Sequence, residues 1–268
     1  MAGQFIQLPG VVAAASVSAP RISMSAADIA AAKISSLMNV VSASQLTPVP
    51  GGGVSGRCRN TGQPLTMKGV GQAALQVSEV SGKKVLSLAS ITPAGLALPP
   101  GSLMANYTAV LAFYLSPSDW AGTAIVNLLS GFTAADAYSA MPARYYGVGS
   151  ASNSGTLRAS GAPAGAAVGA QVASAGWHLA IIDMNSATKV VSVAIDQIDS
   201  FSTGALSAGY APGAMDFLEI GYHLNSISLV TSSVADLYTF NGSLLSTNLG
   251  KQQLGELVGA LKAEYGIA

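Results

Sequence analysis

The spacing of apolar residues predicts one helix near each end of the chain. Residues 26–42 carry apolar side chains at helical spacing. Ser25 and Asp28, at the start of this segment, have the spacing of a helix-capping box. Near the other end, apolar residues recur at i, i+3, i+4, i+7 and i+11, and Gly266 follows them as a stop. The members of this second stripe are Leu254, Leu257, Val258, Leu261 and Tyr265. A lone amphipathic helix of this kind should lay its stripe on the body of the domain.

Between the helices, short runs of β-branched and aromatic residues alternate with Gly, Pro, Asn and Ser, which is typical of antiparallel strands. So many strands require two sheets. The predicted fold class is mainly β: a two-sheet antiparallel sandwich with an N-terminal arm and helix and a short C-terminal amphipathic helix. The predicted strands are 73–78, 84–90, 107–115, 124–130, 145–149, 168–173, 177–183, 190–196, 216–222 and 234–240.

Prolines and glycines at 47–53 predict a linker, because the prolines exclude helix and the glycines remove any preferred conformation. Residues up to about 21, with Pro9 and Pro20, suit an extended arm that a partner would order. We therefore predict two parts. Residues 1–53 form an arm, helix and linker for assembly, and residues 54–268 form the sandwich domain.

Composition points to a chain whose surface is covered by other subunits. Only 9% of the residues are charged, against about 25% in an average soluble protein. The sequence has no run of about 18 apolar residues, so we expect no membrane insertion. Residues 1–84 carry seven Lys/Arg and two Asp/Glu, whereas residues 85–268 carry five and ten. This division favours contact with an acidic protein neighbour over nucleic acid, and it favours a homo-oligomer. The lone Cys58 has no partner for an internal disulfide, and its role is open.

Six motifs follow one another along the last ninety residues. They are Gly-Trp-His-Leu-Ala-Ile-Ile-Asp at 176–183, Val-Val-Ser-Val-Ala-Ile-Asp at 190–196, Phe-Leu-Glu-Ile-Gly at 217–221, Val-Ala-Asp-Leu-Tyr-Thr-Phe-Asn at 234–241, Leu-Ser at 245–246 and a Tyr-Gly-Ile tail at 265–267. In this order they resemble the concanavalin A-like lectin/glucanase superfamily in its laminin-G-like form, which is common in bacteriophage structural proteins. Because projecting phage proteins are often trimeric, the resemblance implies a trimer for the expected homo-oligomer. The resemblance implies a jelly roll, and strand alternation would then place Trp177 between its two sheets.

Members of that superfamily that hydrolyse glucans carry Glu-x-Asp-x-x-Glu on one strand, because cleavage needs two carboxylates about the glycosidic bond. This sequence lacks the motif. Asp216 and Glu219 come nearest, but their i, i+3 spacing puts them on opposite faces of a strand. We therefore expect no enzymatic activity, and we expect structural roles for His178 and His223. Lectin-like sandwiches often bind calcium through loop oxygens, which makes Asp183 and Asn185 weak calcium candidates in a chain otherwise expected to need no cofactor.

Four aromatic residues could stack on sugar rings: Trp120, Tyr145, Tyr146 and Tyr222. The favoured interpretation is a non-enzymatic bacteriophage virion protein, a capsid decoration, tail or baseplate component. It would dock on other virion subunits through residues 1–53 and display a lectin-like domain for attachment to a host-surface glycan. The expected location is the virion. Two alternatives stay open, a free carbohydrate-binding module and an unrecognised hydrolase.

Overall fold

The computed structural model of the chain describes residues 24–162, 167–223 and 227–268. Its helices are α1 (Ala26–Ala32), α2 (Pro117–Ala121) and α3 (Asn248–Tyr265). Its strands are β1 (Leu37–Ser42), β2 (Thr47–Pro48), β3 (Val54–Ser55), β4 (Thr66–Lys68), β5 (Leu75–Val80), β6 (Lys83–Leu88), β7 (Gly95–Ala97), β8 (Asn106–Leu115), β9 (Ile125–Phe132), β10 (Tyr138–Tyr146), β11 (Thr156–Ser160), β12 (Val168–Gln171), β13 (Gly176–Asn185), β14 (Val190–Ile195), β15 (Ser202–Ala205), β16 (Phe217–Ile220), β17 (Tyr222–His223), β18 (Ile227–Ser228) and β19 (Ser233–Asn241).

Two sheets form the body of the molecule. The first has the order β15-β14-β13-β8-β19-β6-β5, and β1 also pairs with β19. The second has the order β12-β11-β10-β9-β16-β7-β4, with β17 and β18 attached beside β9. Every pairing is antiparallel except the contact of β18 with β9, and β2 and β3 form a separate ribbon. The structure confirms the predicted fold class, a mainly β, two-sheet antiparallel jelly-roll sandwich.

The main core lies between the two sheets. Alternate residues of β8 and β13, such as Leu111, Phe113 and Ile182, meet Leu128 and Leu218 of the second sheet there, all of them fully buried. A second apolar layer covers the outer face of the first sheet, where α1 and α3 pack. The predicted apolar stripe of α3 is confirmed in this layer, and Gly266 ends the helix in a left-handed conformation at φ 66°.

The predicted helix over 26–42 is wrong in its second half. The capping box at Ser25 and Asp28 is present, but α1 ends at Ala32. Residues 37–42 instead form β1, which pairs with residues 236–240 of β19. Val40 and Val41 suit this strand because β-branched side chains favour extended backbone, and their burial on opposite faces outweighs the helical spacing.

The predicted position of Trp177 between the sheets is also wrong. Trp177 belongs with Leu179 and Ile181 to the layer under the helices, whereas Ala180 and Ile182 face the second sheet. Alternation identified the residues that share a face correctly. It could not say which face is inner, because both faces of the first sheet are covered. Among the other predicted strands, 145–149 misses most of β10, and β11 was not predicted.

Residues on both sides of the predicted linker contact the sandwich. Val41 and Leu46 share the inter-sheet core with Leu65 and with Cys58, whose buried thiol donates to Oδ1 of Asn39 at 3.5 Å. The division of the chain at residue 53 stays a prediction, and the predicted arm up to residue 21 lies outside the described residues. Within the described ranges, no helix combines the length and apolar character needed to cross a bilayer.

Candidate functional site

The outer face of the second sheet carries a small aromatic cluster. Phe132, at the end of β9, lies at its centre and is 2% exposed. The Phe217 and Tyr222 rings stack on it with centroids 5.8 and 5.9 Å away, and the Tyr138 ring meets it edge-on at 5.8 Å. Tyr138 and Tyr222 are only half-buried, so they present ring surface to solvent. We call this group of four rings the aromatic cluster.

A cleft of about 170 Å³ opens beside the aromatic cluster. Its walls are Lys68, Gly69, Phe132, Asp136, Glu219 and Tyr222. Gly95 of β7 lies against two of these residues, Glu219 and Tyr222. A Cβ on Gly95 would lie 2.7 Å from Oε1 of Glu219 and 2.5 Å from the carbonyl oxygen of Ile220. A side chain at this position would therefore displace residues that line the cleft.

Glu219 is the buried polar group of the cleft. It is 1% exposed, and its Oε1 atom has no hydrogen-bond partner among the described residues. Burial raises the pKa of Glu219 to about 8. The positive charge of Lys68 opposes this rise, and the negative charge of Asp136 adds to it. The carboxyl group is therefore protonated at neutral pH, and it offers an acceptor oxygen that no described residue satisfies.

The charges at the rim of the cleft compensate each other. Nζ of Lys68 donates to Oδ1 of Asp136 at 2.6 Å, and the same nitrogen lies 5.2 Å from the centre of the Phe217 ring. Asp136 is 62% exposed. With Glu219 protonated, the cleft has no net charge at pH 7.

A second polar group lies on the other side of the aromatic cluster. The His223 ring is edge-on to Tyr138 at 4.1 Å, and its buried Nδ1 has no partner among the described residues. Burial, and then the positive charge of Arg144, lower the pKa of His223 to about 4, so the imidazole is neutral at pH 7. Arg144 itself donates to the Tyr138 hydroxyl at 3.1 Å and to Oδ1 of Asn127 at 3.4 Å.

The four predicted sugar-stacking residues are not all available to a ligand. Tyr222 lines the cleft. Tyr145 is a correction: it is 0% exposed in the inter-sheet core, with its hydroxyl on the carbonyl of Trp120 at 3.1 Å, so its ring has no free face. Trp120 packs against the same core and donates to the carbonyl of Val172 at 3.2 Å. Tyr146 follows Tyr145 on β10 and is half-buried.

The calcium candidates have other partners. Asp183 is buried, and its two oxygens accept from the Thr108 hydroxyl at 2.6 Å and the Ser243 hydroxyl at 2.7 Å. Asn185 caps the following turn, where its side-chain oxygen accepts from the backbone of Ala187 and Thr188. Burial raises the pKa of Asp183, which opposes the ionised form that calcium needs. The described residues contain no cluster of three or more ligating side chains.

Asp216 and His178, which the sequence analysis also discussed, make structural contacts. Asp216 accepts from the backbone of Ala134 at 3.0 Å and of Gly213 at 2.8 Å, apart from the Glu219 cleft. Asp196 accepts from Nδ1 of His178 at 2.7 Å, and Nε2 of that ring lies 2.9 Å from the Ser174 carbonyl. Sequence reasoning gave no binding role to six residues of this region: Lys68, Phe132, Asp136, Tyr138, Phe217 and Glu219. The alternation of Phe217 and Glu219 along one strand was the signal that could have found these two.

Comparison with known proteins identifies the fold alone. No family model and no curated protein matches the sequence. Solved structures do match. They include Trypanosoma rangeli sialidase with the inhibitor DANA (TM-score 0.56, 12% identity, 83% of this chain and 32% of that chain). Domain 4 of AbnA, a GH43 arabinanase from Geobacillus stearothermophilus, in complex with arabinotriose, matches at TM-score 0.55 and 12% identity over 84% of this chain and 99% of that domain. The binding domain of botulinum neurotoxin DC in complex with SialylT matches at TM-score 0.54 and 8% identity, over 85% of this chain and 52% of that chain. The chain spans about a third of the sialidase's length.

Proposed function

We propose that this chain is a lectin-like module that binds glycans at the cleft beside the aromatic cluster. The observation that carries the proposal is the combination of ring surface with an unsatisfied buried polar atom. Tyr222 offers an aromatic face on which the C–H face of a sugar can stack. Glu219 offers the polar atom that fixes orientation, as a few placed polar groups do in most ligand pockets.

The shared fold supports this class of ligand. The arabinanase domain is described with arabinotriose and the toxin binding domain with SialylT, both on sandwiches that this chain matches over more than four fifths of its length. At identities of 8 to 12%, no residue of their sites can be transferred. The location of the proposed site therefore rests on this chain's own residues.

We further propose that the module binds without cleaving. Hydrolysis needs an acid and an ionised carboxylate acting on one glycosidic bond. Glu219 could supply a proton, but Asp136, the only other carboxylate lining the cleft in the described part of the chain, is held by Lys68 at 2.6 Å. An ion-paired, largely exposed carboxylate is a poor nucleophile. Release of reducing sugar from a bound polysaccharide would favour the unrecognised hydrolase instead.

For the biological setting, we propose display on a bacteriophage virion as a homo-oligomer, with the arm predicted up to residue 21 docked on neighbouring subunits. Support comes from the 9% content of charged residues and from the opposite charge of the two parts of the chain. Exposed apolar side chains, among them Val70 and Ile91, fit a surface that meets other subunits. A free carbohydrate-binding module is the alternative. Electron microscopy of particles labelled with an antibody to this chain would separate the two.

A glycan array probed with the full-length chain tests the binding proposal. We expect retention of at least one glycan class, and we expect Tyr222→Ala to weaken that binding about fivefold or more, since stacking on one ring contributes about 1–3 kcal/mol by analogy with base stacking. Tyr114→Ala is the matched control, because Tyr114 is equally half-buried but contacts Trp177 on the first sheet. Equal loss in both variants would remove the cleft as the site.

A further inference from the structure

We propose that the cleft is selective for an uncharged sugar, whose hydroxyl groups complete the hydrogen bonding of Glu219. This inference rests on the proposed function, because it concerns the same cleft. It goes further in naming the ligand class and the residue that sets it. Glu219 acts here as a specificity-determining residue that contacts the ligand without carrying charge.

The first step of the argument is the unsatisfied oxygen. Buried polar atoms are almost always hydrogen-bonded, and leaving one without a partner costs about 1–3 kcal/mol. Oε1 of Glu219 is such an atom among the described residues, and Glu219 is one of the residues that line the cleft. A ligand hydroxyl that reaches Oε1 removes this cost. The missing partner is thus supplied by the ligand.

The second step is the charge of the walls. Lys68 is the only cation that the described residues contribute to the cleft, and its ammonium group is already paired with Asp136. An acidic sugar would therefore find no free cation there, and its carboxylate would face the exposed Asp136 carboxylate. Like charges placed together disfavour the wrong partner, so this arrangement selects against acidic sugars.

The third step is the protonation of Glu219. The groups that face it are Lys68 from β4, Asp136 from the loop between β9 and β10, and Tyr222 from β17. Burial raises the pKa of Glu219 to about 8; the positive charge of Lys68 opposes this rise, and the negative charge of Asp136 adds to it. A protonated carboxyl offers one donor and one acceptor, which matches neighbouring sugar hydroxyls. A sugar lying over the cleft would remove the remaining water from Glu219, so it should bind the protonated form in preference to the ionised one.

The test is calorimetric titration of the full-length chain from pH 6.5 to 9.5. The probes are lactose, maltotriose, cellotriose, mannotriose and chitotriose, with 3′-sialyllactose as the acidic counterpart of lactose. We expect binding of at least one neutral probe, weaker binding of 3′-sialyllactose, and a fall in affinity above pH 8 that approaches tenfold per pH unit. Glu219→Gln replaces the protonated carboxyl group with an amide that offers N–H donors and a carbonyl acceptor and has no titrating proton. It should bind within about threefold of the wild type at pH 6.5 and keep that affinity at pH 9.5. Glu79→Gln, at an exposed ion pair with Lys84, is the control and should keep the wild-type pH profile.

The outcomes separate the two proposals. If no probe binds and the array also shows no glycan, or if binding survives Tyr222→Ala, the proposed function at this cleft fails. If binding depends on Tyr222 but 3′-sialyllactose binds better than lactose, the function stands and the selectivity proposal is overturned. The selectivity proposal is also overturned if Tyr222-dependent affinity is constant from pH 6.5 to 9.5, or if Glu219→Gln loses binding at pH 6.5.

Discussion

Replacing Glu219 by glutamine should stabilise the folded chain, and the gain should grow with pH. The pKa of Glu219 is 4.5 in an ordinary environment and about 8 in the folded chain, where burial disfavours the ionised carboxylate. Between these two values the unfolded chain has lost this proton while the folded chain keeps it. The stability of the wild type therefore falls as the pH rises from 4.5 to 8. Glutamine has the shape of the protonated acid and does not titrate, so the variant escapes this loss.

The magnitude follows from the gap between the two pKa values. A gap of about 3.5, at about 1.4 kcal/mol for each pH unit, gives an upper limit of about 5 kcal/mol at pH 8 and above. Local relaxation around an ionised side chain reduces such penalties, and we expect a gain of about 2–4 kcal/mol. At pH 4.5 the two proteins should be equally stable within about 0.5 kcal/mol.

Urea unfolding of wild type and Glu219→Gln at pH 4.5, 6.5 and 8.5 measures the difference at each pH. Taking the difference between the two proteins cancels the titration of other buried acids, such as Asp183 and Asp236, whose pKa values burial also raises. Glu79→Gln is again the control, and as an exposed change it should stay within about 0.5 kcal/mol of wild type throughout. A difference between wild type and Glu219→Gln that is the same at pH 4.5 and 8.5 would refute the burial argument.

Two further changes test the packing at Gly95, beside the cleft, and the role of β1. Gly95→Ala should cost about 1–3 kcal/mol in urea unfolding and weaken sugar binding, because its Cβ would overlap the backbone of Ile220 and crowd Glu219. Gly259→Ala is the control, because a Cβ added there on α3 would meet nothing within 4 Å outside its own helix, and this change should be neutral or stabilising. Equal effects of the two changes would contradict the packing argument. Removing residues 1–50 should abolish the cooperative thermal transition seen by circular dichroism, because it removes β1 from its pairing with β19, and a sharp, unchanged transition would show that this strand is dispensable.

The helices show where sequence reasoning succeeds and where it stops. The α3 stripe is long, has one period and ends at a glycine, so local information is enough to predict it. Residues 34–41 also fit a helical period, yet Val40 and Val41 form a strand because the edge of β19, about 200 residues away, pairs with them. Such non-local pairing is invisible to a local pattern. The same limit affects the predicted strand 145–149, which overlaps β10 (Tyr138–Tyr146) only at Tyr145 and Tyr146.

The cleft was less predictable than the fold. Phe217 and Glu219 share a face of one short strand, which the sequence shows by their spacing. The groups that give them a function come from β4, from the end of β9 and from the loop that follows it, and only the order of strands in the second sheet brings these together. Tyr222 was predicted as a sugar-stacking residue from its type alone. The raised pKa of Glu219 depends on burial, which no spacing reveals.

Trp177 offers a final test of how the layers are arranged. Between two sheets, a Trp→Ala change would cost about 3–5 kcal/mol. Trp177 instead lies half-buried in the layer under the helices, with its ring 4.6 Å from Tyr265 and 5.6 Å from Tyr114. Because part of Trp177 already meets solvent, we expect Trp177→Ala to cost about 1–3 kcal/mol in urea unfolding. Leu179→Ala, two residues along the same face and fully buried, should cost about 2–5 kcal/mol and exceed it despite the smaller side chain. A larger loss for Trp177 than for Leu179 would place the indole in an enclosed core and contradict the three-layer order of helices, first sheet and second sheet.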